Sequence, residues 1–141
     1  MSIEQGQTNS FKVDILEGGQ NLLTDTLYMA LYTSYATLNA STTEYVTDNE
    51  ITGDGYTAGG TEVTGATIMT DTTTNTVYVN FDNVSWPGAN FTARGALIYN
   101  STQSNKSIAV LDFGSDKIFS SVSNTVTMPV NSASTALLRF V

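Results

Sequence analysis

The stretch Phe91–Gly114 reads FTARGALIYN, then STQSN, then KSIAVLDFG, and it decides the fold class. In its first part Ala96 and Ile98 alternate with Leu97 and Tyr99. In its last part Ile108 and Val110 alternate with Ala109, Leu111 and Phe113. A period of two with apolar residues on both sides is the mark of a strand, and the polar STQSN between them has turn composition. The same alternation extends outward. TLYMALYT (26–33) puts Leu27, Met29 and Leu31 opposite Tyr28, Ala30 and Tyr32, with no polar face, so it is buried on both sides or lies at an interface. VYVNFDNVSW (77–86) sets Val77, Val79 and Phe81 against Tyr78 and Asn80, and Trp86-Pro87-Gly88 ends it. NTVTMPV (124–130) and TALLRFV (135–141) are further strands.

Residues 34–74 are poorer in pattern. They hold Gly53, Gly55, Gly59, Gly60 and Gly65 among threonines and acids, with weak strands around Tyr45–Val46 and Glu62–Met69 and a turn at Asp71–Asn75. About eight antiparallel strands, with turn signals every 8–12 residues, predict an all-β single domain, a β-sandwich or jelly roll, over residues 10–141. The polar residues 1–9 read as a flexible N-terminal arm. Between arm and strands, SFKVDILEGG (10–19) has Ser10 as a candidate N-cap, Phe11 and Ile15 four apart, and Gly18 as a stop. This predicts one short helix, although Phe11, Val13 and Ile15 also alternate as in a strand.

Composition narrows the function. Thr, Ser and Asn number 23, 14 and 12 of 141 residues, a hydroxyl-rich, turn-rich surface chemistry. There is no His and no Cys, which excludes Ser-His-Asp and Cys-His catalysis, disulfides, and zinc or haem held by those residues. The net charge of −8 disfavours nucleic acid as a partner. Between Lys12 and Arg94 stand ten acids and no basic residue, whereas the remainder from Arg94 onward is slightly basic. That is either a solvated acidic surface or a two-sided one that orients the domain on a partner. The opening MSIEQGQTNS lacks a signal-peptide pattern, and no window has the ~20 apolar residues of a membrane helix. Five N-x-S/T sequons are present, against about three expected by chance from this composition, so they reflect composition.

Few residues carry chemistry. Asp48-Asn49-Glu50-Ile51-Thr52-Gly53-Asp54-Gly55 is the nearest approach to a calcium loop, but Thr52 and Gly59 occupy ligand positions of the EF-hand pattern, and an acidic turn is the expectation. Carboxylate pairs are too numerous among thirteen acids to single out a hydrolase pair. No enzymatic activity, cofactor or metal site is expected. Tyr28, Tyr32, Trp86 and Arg94 are the candidate protein-interface residues, because aromatics and arginine dominate interface energetics. The competing reading packs the aromatic rings at the core edge.

Taken together, DTLYMALYTS (25–34), TDNEITGDGYTAGG (47–60) and NVSWPGANFTARGALIYNSTQSNKSIAVLDFGSDK (83–117) resemble a family of small virion proteins of tailed bacteriophages. The resemblance spans roughly residues 10–140 and consists of whole segments, with no catalytic motif. It implies a capsid decoration or cement protein, synthesised in the bacterial cytoplasm. Such a protein would bind the outer surface of the head, clamp neighbouring major capsid subunits, and act as a homodimer or homotrimer without nucleic acid or membrane partners. The alternatives are a tail, fibre or host-adhesion component of the virion, or a carbohydrate-binding module.

Overall fold

The computed structural model describes residues 2–129 and 132–140. Val130 and Val141, the last residues of the two C-terminal predicted strands, and Met1 of the predicted arm lie outside them. The fold is all-β: antiparallel sheets with one short helix. Ten strands are found among the described residues: β1 (Gly6–Gln7), β2 (Leu27–Tyr32), β3 (Thr61–Val63), β4 (Thr67–Asp71), β5 (Thr76–Asn80), β6 (Val84–Ser85), β7 (Phe91–Asn100), β8 (Lys106–Phe119), β9 (Thr125–Val126) and β10 (Leu138–Phe140). They form a five-stranded sheet in the order β1-β8-β7-β2-β3, a three-stranded sheet β10-β5-β4, and the pair β6-β9.

The hairpin β7–β8 is the spine. Its register pairs Ala96 with Leu111, Leu97 with Val110 and Ile98 with Ala109, so apolar residues face both ways across the middle of the pair. β2 adds to it with Ala30 opposite Leu97 and Leu31 opposite Ala96. One face of this sheet (Leu27, Met29, Leu31, Ala96, Ile98, Leu111) shares the main core with Phe11 and with Val79, Trp86, Val126 and Leu138 of the smaller sheets. The opposite face (Ala30, Tyr32, Leu97, Val110) has its own apolar cluster with Ile3, Ala36 and Leu38. β2 is therefore buried on both sides within one chain, which accounts for its lack of a polar face.

Two expectations at the N-terminus change. Residues 2–8 are not a free arm. Ile3 bridges Leu38, Glu4 N–H bonds Leu38 O at 2.8 Å, and Gly6 and Gln7 pair with Val110 and Ala109. The segment is polar in its side chains, but it covers the second apolar face through Ile3 and satisfies an open sheet edge through its backbone. The helix α1 (Asn9–Glu17) forms as expected, ended by Gly18 in the left-handed conformation. Its N-cap is Thr8, whose Oγ1 accepts from Phe11 N–H at 3.2 Å, and not Ser10. Exposed Val13 settles the helix against the strand alternation.

The middle of the chain also differs. Tyr45–Val46 is not a strand; only Glu44 bridges, to Lys106. The predicted strand Glu62–Met69 is divided into β3 and β4, which belong to different sheets. The long connection over residues 33–60 covers the second face with Ala36 and Leu38 and reaches the main core with Ile51 and Tyr56.

Candidate interaction surface

The connection over residues 33–60 is held by a cluster of tyrosines around Glu50. Tyr45 donates its hydroxyl to Glu50 Oε1 at 2.6 Å, and Tyr56 donates to Oε2 at 2.5 Å. Gly59 N–H donates to the same Oε2 at 2.8 Å. Tyr56 Oη also accepts from Leu31 N–H at 3.0 Å, which ties the loop to the central strand β2. Tyr99 donates to Gly59 O at 2.7 Å and stacks on Tyr45 with ring centroids 4.7 Å apart. Tyr32 donates to Val46 O at 2.5 Å. The acid-rich loop that came nearest to a calcium pattern thus spends its central carboxylate on two phenols and a backbone amide. Among the described residues no group of three or more acids is gathered for a metal ion.

This arrangement makes two predictions. Glu50→Gln replaces one acceptor oxygen with an amide NH2 group that faces a donor. It should destabilise the chain by about 1–3 kcal/mol, read by denaturant unfolding. An unchanged midpoint would contradict the latch. The second concerns alkaline pH. Burial, with Glu50 nearby, pushes Tyr32, Tyr45 and Tyr56 well above the ordinary value of 10, and burial pushes Tyr99 up to about 12. Each phenol is held neutral in the fold and ionises near 10 in the unfolded chain, so its contribution is complete below pH 10. It is lost as pH rises through the folded values, at 12 and above. In an absorbance titration, these four of the seven tyrosines should stay neutral at pH 11 and ionise only as the fold is lost. Complete ionisation at pH 11 with the fold intact would refute the burial.

The four interface candidates separate. Tyr32 is 0% exposed and Trp86 2%, both enclosed by this chain's own core, so neither offers a surface to a partner. Their ring area is used internally: Trp86 meets Phe119 edge-on at 5.9 Å. Tyr28 is half-buried and stacks toward Tyr99 at 6.0 Å. Arg94 is half-buried, with its Nε 3.6 Å from Asp112. Lys106 is similarly engaged with buried Asp14 at 3.7 Å, and Lys117 lies over the Phe119 ring. Three of the four basic residues from Arg94 onward are therefore occupied within the chain. The exposed acids Glu44, Asp48, Asp54, Glu62 and Asp82 face solvent.

Besides separate exposed residues such as Leu16, Ile118 and Val122, an apolar surface lies on the sheet β10-β5-β4. Its register sets Leu138, Val79 and Ile68 in one row and Phe140, Val77 and Thr70 in the next, all on the same face. Leu138 and Val79 are buried, whereas Ile68, Val77 and Phe140 are 51%, 37% and 41% exposed. The core-facing side of this sheet therefore overhangs the rest of the domain and carries its apolar rows into solvent. Sequence reading placed strands at β5 and β10 and ran β4 together with β3, but could not tell that the inward face of this sheet outruns the core. The adjacent apolar pair Ile68-Met69, on opposite faces of a weak strand, was the available signal.

No helix among the described residues is long and apolar enough to cross a membrane. No family model matches the chain, and neither a curated protein nor a solved structure is similar to it.

Proposed function

We propose that this protein is a structural component of a tailed-bacteriophage virion. In this reading it is a decoration or cement protein that binds the outer surface of the head and clamps neighbouring major capsid subunits. Its strands would form a jelly-roll-like sandwich, and its role is binding without chemistry. The observation that carries the reading is the apolar overhang of β4, β5 and β10, where Ile68, Val77 and Phe140 lie in adjacent rows of one rigid sheet face. Apolar area presented on rigid backbone binds another protein with little ordering cost. A net charge of −8 suits the outside of a DNA-filled shell, where the phosphate field is not opposed at close range. The segmental resemblance to small virion proteins points the same way.

The sugar-binding alternative draws less support. Such modules stack pyranose rings on exposed aromatic faces, and here Trp86 and Tyr32 are buried while Tyr35 is the exposed tyrosine. The reading is tested by the copy number of the chain in purified particles, by quantitative mass spectrometry against the shell protein. Decoration requires on the order of hundreds of copies in a simple ratio to the shell, as closed symmetry dictates. A few copies, in multiples of three or six, would move the chain to the tail or fibre. Absence from particles would overturn both virion placements.

A further inference from the structure

We propose that β4 is a self-pairing edge, and that two copies of this chain join β4 to β4 antiparallel about a two-fold axis at Met69. This would make one continuous six-stranded sheet from two three-stranded ones. The inference rests on the strand itself and does not require the virion reading, although it draws on the same apolar rows.

β4 is the outermost strand of its sheet, so one row of its backbone N–H and C=O groups has no strand partner. Thr67, Ile68, Met69 and Thr70 are all exposed. Proteins ordinarily blunt such an edge with lysine, proline, a bulge or a covering loop. Here the strand is TIMTD, with none of those residues, and its register with β5 runs from Thr67–Asn80 to Asp71–Thr76 without a shift. At the opposite edge of the same sheet, β10 has the Gln7 side chain bonded to Arg139 O at 3.1 Å, and the remaining edge strands, β1, β3, β6 and β9, are only two or three residues long.

The pattern of β4 identifies the occupant as a second copy. Outward-facing backbone groups recur at every second residue, so a strand pairs with its own copy only in registers centred on a residue. Full overlap of the five residues centres on Met69. It sets Met69 against Met69, Ile68 against Thr70, and Thr67 against Asp71. The one charge, Asp71, then meets a threonine, and the two Asp71 carboxylates lie at opposite ends, roughly 14 Å apart along the strand. That exceeds the screening length of about 8 Å at physiological salt. The exposed apolar rows are completed by the same register. Phe140, Val77 and Thr70 of one copy continue into Ile68, Val79 and Leu138 of the other, so each overhanging row ends in the partner's buried pair.

The test uses the full chain. Sedimentation or native mass spectrometry across micromolar concentrations should show a monomer–dimer equilibrium. Met69→Lys brings two ammonium groups together at the axis, and should weaken the dimer at least tenfold. Its circular dichroism and tyrosine titration should match wild type, because Met69 faces solvent in the monomer. The chain has no cysteine, so Met69→Cys introduces a single thiol. Residues directly opposed in an antiparallel pair have Cα atoms about 4.5–5.5 Å apart, within disulfide range. Mild oxidation should therefore yield a covalent dimer of Met69→Cys and none of Val122→Cys, an exposed site in the loop before β9. A monomer at all concentrations, a trimer, a dimer indifferent to Met69→Lys, or equal cross-linking of both cysteine variants would overturn the proposal.

Discussion

Gly60→Ala should be the most damaging single-methyl substitution in this protein. Gly60 has φ +87°, and a Cβ there would lie 1.8 Å from the carbonyl oxygen and 2.5 Å from the carbonyl carbon of Met29. Both atoms belong to the backbone of β2, which is hydrogen-bonded to neighbours on both sides and buried on both faces. Neither can retreat. The turn at Thr57–Gly60 would have to lift away, and with it go the Gly59 amide on Glu50 and the pairing of Thr61 with Met29. A loss of about 4 kcal/mol or more is expected, in the range reserved for core clashes. Gly88→Ala is the control. Gly88 also has a positive φ, +74°, but nothing lies within 4 Å of its added Cβ, so only backbone strain of about 1 kcal/mol applies. Denaturant unfolding of the two variants side by side would separate collision from strain. Equal losses would mean that Gly60 is not pressed against β2.

Phe119→Ala should cost about 3–5 kcal/mol, the range for removing a fully buried aromatic ring. Phe119 ends β8 and is 0% exposed. It stacks on Phe91 at 4.9 Å, receives Trp86 edge-on at 5.9 Å, and lies 6.3 Å from Phe113. The cluster joins the end of the β7–β8 hairpin to β6, so a cavity there loosens two sheets together. A fall in melting temperature of roughly 10–15 °C is expected for a domain of this size. Phe119→Leu, which keeps most of the volume, should recover more than half of it. A fall of only a degree or two in the alanine variant would show that the aromatic cluster is peripheral.

The contrast between well-read and misread segments has a physical basis. β7 and β2 were legible to the residue because both sheet faces are apolar, so long alternating runs leave one reading. β8 was legible up to Gly114 and then continued to Phe119 through the polar Ser115, Asp116 and Lys117, where its outward side is exposed. The connection over residues 33–60 has no period, because single hydrogen bonds to Glu50 shape it, and those partners are distant in sequence from the strands they fasten. The N-terminal segment misled for a related reason. A polar sequence that pairs through its backbone carries no hydrophobic signature beyond one isoleucine, Ile3. At the candidate surface, residue type was a poor guide. Trp86 and Tyr32 have the chemistry of interface anchors and serve the chain's own core. Ile68, Val77 and Phe140, ordinary core residues by type, face solvent where β5 and β10 overrun the domain.

The most direct test of the decoration role is to add the purified chain to phage heads assembled without it and to measure bound chain per shell subunit as its concentration rises. Binding that saturates at a simple ratio to the major capsid protein, and raises the temperature at which the heads come apart, is the predicted result. No binding, or saturation at a few copies per particle, would contradict it.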